Sequence, residues 1–164
     1  MAEADTRDLD AILAHYDAKL AEKHSAAQRE KDAQLAFAEA FDTLCADVLQ
    51  PRFAAFQSRL EAVGHTVAIR REVGREARDG IPRPAIYLDI VPKETPRSHS
   101  RTELPSLGFI CEPQTRTVAV MKRCAMPSGG GLGGGREEFS IEAVTAAFCD
   151  EHVLDLLRRT LGRA

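Results

Sequence analysis

Residues 60–73, Leu60-Glu61-Ala62-Val63-Gly64-His65-Thr66-Val67-Ala68-Ile69-Arg70-Arg71-Glu72-Val73, contain the point at which the chain changes its repeat. Before Gly64 the apolar residues recur every three to four positions, the spacing that gathers side chains on one face of a helix. After it Val67, Ile69 and Val73 alternate with Thr66, Ala68, Arg70 and Glu72, the period of two that sends successive side chains to opposite faces of a strand. Gly64 supplies the left-handed residue that stops the helix. The chain is therefore helical in its first third and sheet-forming beyond it.

Upstream of the switch, one apolar stripe runs through Leu35, Ala38, Phe41, Leu44, Cys45, Val48 and Leu49 and continues in Phe53, Phe56, Leu60 and Val63. Pro51 interrupts it. A proline inside a helix removes one backbone hydrogen bond and crowds the carbonyl four residues back, so a kink or a fresh start is expected near Leu49. Further back, Leu9, Ile12, Leu13, Tyr16 and Leu20 form a second stripe. Between the two, residues 22–34 offer strong helix formers and no large apolar side chain. That segment is either a solvated helix or a hinge at His24 to Lys31 that folds the arm back as a helical hairpin.

Downstream, strands are expected at about 66–73, at Ala85 to Val91, at Leu107 to Cys111 and Thr117 to Arg123 as a hairpin, and near Glu137 to Ala143. The loop at 78–84 contains Gly80, Pro82 and Pro84, and residues 92–105 contain three prolines. Six glycines in residues 127–135 read as a flexible connection between strands, and whether Gly129–Gly135 orders on binding is left open. A final helix opens with Thr145 as its N-cap and places Phe148, Cys149, His152, Val153, Leu156, Leu157 and Leu161 on one face, ending at Gly162. The fold class is α+β: an N-terminal helical arm or helix hairpin, then an antiparallel sheet of about five strands covered by a long helix and a C-terminal helix. Residues 1–33 make the arm and 34–164 a single domain.

Composition narrows the function classes without naming one. With 164 residues, 44% apolar and 29% charged, the chain is that of a folded globular domain. The net charge of −3 gives no general reason to bind nucleic acid. Charge is unevenly laid out, however: residues 1–63, 64–136 and 137–164 carry −5, +5 and −3. Acidic helices packed beside a basic sheet would explain this. The alternative is an anion or nucleic-acid binding surface on the basic 70–101 segment, with Arg70, Arg71, Arg75 and Arg78 at its centre and Arg83, Arg97 and Arg101 nearby. Only Tyr87 and Phe109 are available there for stacking on bases.

No apolar run is long enough for a membrane helix, and the first ten residues are acidic where a signal peptide would be basic and then apolar. A cytoplasmic location without membrane attachment is the expectation. Cys45, Cys111, Cys124 and Cys149 show no CxxC spacing and read as reduced, mostly buried thiols. A metal held by Cys111, Cys124, Cys149 and His152 has no support from spacing, and no metal or cofactor is expected. The glycine tract lacks the Lys and the helix that a phosphate loop requires, and Arg136-Glu137-Glu138-Phe139 follows it.

Cys149 and His152, three apart near a helix start, are the best nucleophile and base pair the sequence offers, yet both lie in the apolar stripe. His65 reads as a local hydrogen-bonding residue. Asp89, inside the most apolar strand, reads as a carboxylate on the solvent face paired with a nearby arginine. Glu94, His99 and Glu103 share the proline-rich loop and form no known catalytic pattern.

What remains is the leading stripe. A polar helix separates it from the rest of the apolar surface, so Leu9, Ile12, Leu13, Tyr16 and Leu20 must find cover on a second copy, on a partner protein or in the intramolecular hairpin. The reading preferred from sequence is a non-enzymatic protein-protein interaction module, a self-associating adaptor or chaperone-like factor acting through its arm. Anion or nucleic-acid binding is the alternative, and a thiol-dependent enzyme at Cys149 stands third.

Overall fold

The computed structural model describes residues 2–74, 79–95, 104–125, 132–133 and 135–162. A single helix, α1 (Ala2–Leu44), passes without interruption through the polar stretch at 22–34. The hinge and the intramolecular hairpin are thus overturned. Residues 2–50 contain neither glycine nor proline, and the alanines, glutamates, lysines and glutamines of 22–34 favour continued helix.

The expected break near Leu49 is a single π-helical turn, Cys45–Leu49, and α2 (Gln50–Ala62) follows in the same direction with Pro51 in its first turn. Pro51 has no N–H to donate, and the Gln50 N–H instead donates to the Cys45 carbonyl, five residues back. The wider turn also keeps the seam aligned. Phe41, Cys45, Leu49 and Phe53 recur at intervals of four, which on an α-helix drift about 40° per step, and the π turn offsets that drift. All four are fully buried. Val63, assigned to the seam from sequence, is 58% exposed because the helix ends there and Gly64 turns the chain away at φ +99.

The sheet is an antiparallel meander of β1 (Thr66–Glu72), β2 (Ala85–Val91), β3 (Ser106–Glu112) and β4 (Thr117–Ala125). Two short stretches, β5 (Leu132–Gly133) and β6 (Arg136–Phe139), both pair with β4. Their register is continuous: Ala125 faces Leu132, Cys124 faces Gly133, Met121 faces Arg136 and Val118 faces Phe139, with Lys122 N–H bonded to the Gly135 carbonyl. They are two parts of one fifth strand. The end of the glycine tract therefore holds regular structure, because β4 supplies its partner; the rest of the tract lies outside the described residues. The last strand ends at Phe139, short of the expected Ala143, and residues Ile141–Ala143 form a 3₁₀ turn. β1 likewise ends at Glu72, which leaves Val73 exposed.

One face of the sheet carries the core. Ile86, Leu88 and Ile90 of β2, Leu107, Phe109 and Cys111 of β3, and Val118 and Val120 of β4 pack against the helical seam and against Cys149, Val153 and Leu156 of α3 (Ala146–Leu161). Thr145 caps α3 as expected, its Oγ1 accepting from the Phe148 N–H at 3.2 Å. Ion pairs tie the acidic helices to the basic sheet: Asp42 to Arg71 at 2.9 Å and Asp155 to Lys122 at 2.7 Å. Glu30 reaches Arg116 in the β3–β4 turn at 2.6 Å.

Candidate functional site

The most conspicuous surface is the arm. Every residue from Thr6 to Asp32 is exposed, and burial begins only at Ala33, with Ala38 the first fully covered position. Leu9, Ile12, Leu13, Tyr16 and Leu20 are 52, 64, 51, 62 and 37% exposed. Fully burying a large apolar side chain stabilises by about 1.5–3 kcal/mol, so roughly half of that gain is unrealised at each of these positions. The arm is supported at its base. Gln28 donates to Asp32 at 2.9 Å and Gln34 to Glu30 at 3.1 Å, and the hydrogen bond from Arg116 holds the Glu30 carboxyl below the usual carboxylate range. Among the described residues nothing comparable covers the stripe.

The second surface is the face of the sheet turned away from the helices. Here Tyr87 on β2 lies over Gly108 on β3, so closely that a Cβ built at Gly108 would fall 2.5 Å from the tyrosine Cε1. The Arg70 guanidinium stacks on the phenol ring, 4.2 Å from its centroid. Arg70 Nε also donates to Asp89 Oδ2 at 3.1 Å, and Ser106 Oγ donates to Asp89 Oδ1 at 2.7 Å. The expected arginine partner of Asp89 is present. The carboxylate lies on the outer face, as expected, but is buried there at 7% exposure. Beside this group a shallow cavity of about 240 Å³ is bordered by Tyr87, Ser106, Gly108, Met121, Arg123 and Arg136.

Among the described residues, the cations of the anion-binding reading are not gathered into a free patch. Arg70 is engaged by Asp89 and Glu72, and Arg71 by Asp42 across the helix boundary. Arg136 is paired with Glu112 and Glu138. Arg75, Arg78, Arg97 and Arg101 lie outside the described residues. Sequence reasoning missed the Arg70–Tyr87–Gly108 stack. Its signal was an isolated glycine inside a strand, which marks a close approach by another group.

Cys149 and His152 share a helix face but not the environment a thiolate needs. Cys149 is fully buried, and burial pushes its thiol up to about 12. His152 packs its ring against Phe148 at 4.3 Å and edge-on to Phe139 at 5.8 Å, with Nδ1 buried and unbonded. Burial first, and Lys122 second, hold its pKa below the ordinary value. His65 is hydrogen-bonded, but not to a sequence neighbour as expected: its Nδ1 accepts from the Lys93 N–H, 28 positions along the chain, at 3.0 Å. Among the described residues no three His, Cys, Asp or Glu side chains converge as metal ligands, and no helix is long and apolar enough to cross a membrane. Glu94 sits in a turn with φ +70, while His99 and Glu103 lie outside the described residues.

No family model matches the chain, and no curated protein or solved structure matches it either.

Proposed function

We propose that this protein is a non-enzymatic interaction module that engages another protein chain through its N-terminal helical arm, with the α+β domain as the body that carries it. One observation supports the reading above the others: five large apolar side chains stand exposed on one stripe of a helix whose nearest buried residue lies beyond Asp32. A helix with 27 successive exposed residues gains little from its own sequence, because isolated helices are marginal in water and are ordinarily secured by packing an apolar face. Docking that face on a partner chain removes the exposed apolar surface from water.

The test compares the intact protein with an Ile12→Lys/Tyr16→Lys variant. Both positions are exposed, so the variant is expected to keep the circular dichroism and melting temperature of the body. The intact chain is expected to retain a protein partner, its own copy included, through purification and cross-linking, and the variant to lose it. Identical profiles for the two would refute the reading.

A further inference from the structure

We infer that the occupant of the arm is a second copy of this chain, lying antiparallel to the first across a two-fold axis near residues 14 and 15. This rests on the reading of the arm as an interaction element and names its partner.

Three features point to the arrangement. The first is the spacing of the stripe. Leu9, Leu13, Tyr16 and Leu20 follow one another at steps of 4, 3 and 4, which read the same in either direction. A two-fold axis at their midpoint brings Leu9 against the Leu20 of the second copy and Leu13 against its Tyr16, so every layer is filled from both sides. Ile12 flanks the central layers.

The second feature is length. At 1.5 Å per residue, a helix reversed about residues 14 and 15 places Leu9, where the stripe begins, beside position 20 of the other copy and Thr6 beside position 23. The exposed stretch extends to Asp32, and burial begins at Ala33. The paired stretch, residues 6–23 of each copy, therefore lies wholly within the exposed part of the arm, short of the body of the domain. The two bodies end up at opposite ends, with residue 33 of each about 55 Å apart along the axis.

The third feature is charge. Asp8, Ile12, Lys19 and Lys23 are separated by steps of 4, 7 and 4 and share one flank of the stripe, with the acid at its start and the bases at its end. Antiparallel pairing sets Asp8 of each copy beside Lys19 and Lys23 of the other. A parallel pair would instead bring that flank against the opposite one, Asp10, Asp17 and His24, and would place acid by acid at the start of the arm. In the antiparallel pair Asp10 and Asp17 remain near the axis and repel, so the association is reversible rather than permanent.

The experiment is sedimentation equilibrium of the full chain from about 5 µM to 500 µM, combined with a distance between spin labels at Ala27→Cys. The mass is expected to rise with concentration from 18.0 kDa toward twice that value. The label distance is expected near 40 Å, against roughly 10 Å for parallel helices. Asp8→Lys is expected to weaken the dimer several-fold, and Asp8→Lys/Lys19→Asp to restore it. A mass of 18.0 kDa at every concentration overturns the inference. So does a label distance near 10 Å, or a charge swap that fails to restore pairing. If the monomer nevertheless retains a different protein that Ile12→Lys/Tyr16→Lys loses, self-pairing falls while the arm keeps its role; if it retains none, both fall.

Discussion

Replacing Gly108 with alanine tests the stack on the outer face of the sheet. The added Cβ would lie 2.5 Å from Cε1 and 2.6 Å from Cδ1 of Tyr87, where carbon atoms ordinarily rest about 3.5–4.0 Å apart. The backbone cannot yield, because Gly108 is paired directly with Tyr87 on one side and Met121 on the other. The ring must swing outward and leave the Arg70 guanidinium. Overpacking of this kind costs about 1–3 kcal/mol, and the lost cation–π contact adds about 0.5–1. Alanine returns about 0.5–1 kcal/mol by restricting the unfolded chain more than glycine does. The last two terms roughly cancel, so the net expectation is a loss of about 1–3 kcal/mol, or roughly 3–9 °C in melting temperature for a domain of this size. Guanidinium unfolding followed by circular dichroism measures it, and a cycle with Tyr87→Ala isolates the cause. Without the ring in the way, Gly108→Ala should be neutral or slightly stabilising. The same loss in both backgrounds would refute the argument.

Two further outcomes follow from buried groups. His152 is held below its ordinary pKa by burial, so the unfolded chain binds its proton more readily. The stability this contributes is complete above about pH 6.5 and is lost as pH falls through the depressed native value. Urea midpoints should therefore fall between pH 7.5 and 5 more steeply for the natural protein than for His152→Leu, and parallel profiles would contradict the assignment. Burial also pushes the thiols of Cys45, Cys111 and Cys149 to about 12, so at pH 8 their thiolate population is over a thousandfold below that of a free cysteine. A thiol reagent should leave these three unlabelled in the native protein and modify them on unfolding. Rapid labelling of native Cys149 would reopen the case for a reactive thiol.

The layout of the molecule was legible wherever periodicity and burial coincide. The change of repeat at Gly64, the β3–β4 hairpin and the cap at Thr145 could all be located because each depends on neighbours close in sequence. Features that depend on distant neighbours could not. Pro51 announced a disturbance, but only the demand to keep Phe41, Cys45, Leu49 and Phe53 on one seam selects a π turn over a kink. The glycine tract carries no strand signal of its own, and the register of β4 draws Leu132 and Gly133 into the sheet. Asp89 could be matched with an arginine from composition. Its two partners, Arg70 and Ser106, come from the strands on either side of it, which no local pattern reveals. At the arm the sequence showed an apolar stripe with no local use. The structure adds that this stripe stands clear of the body, because the polar stretch meant to hinge it back is unbroken helix.

The continuity of α1 has a mechanical consequence. Its C-terminal end is clamped in the core at Ala38 and Phe41, and the same rod extends to Ile12, about 43 Å away by helical rise. Whatever seats on the tip is held at a set heading from the sheet, as on a cantilever and not on a leash. A tilt of only 5° at the clamp sweeps Ile12 through about 4 Å, so small repacking around Phe41 would be read out as a large change of aim at the far end.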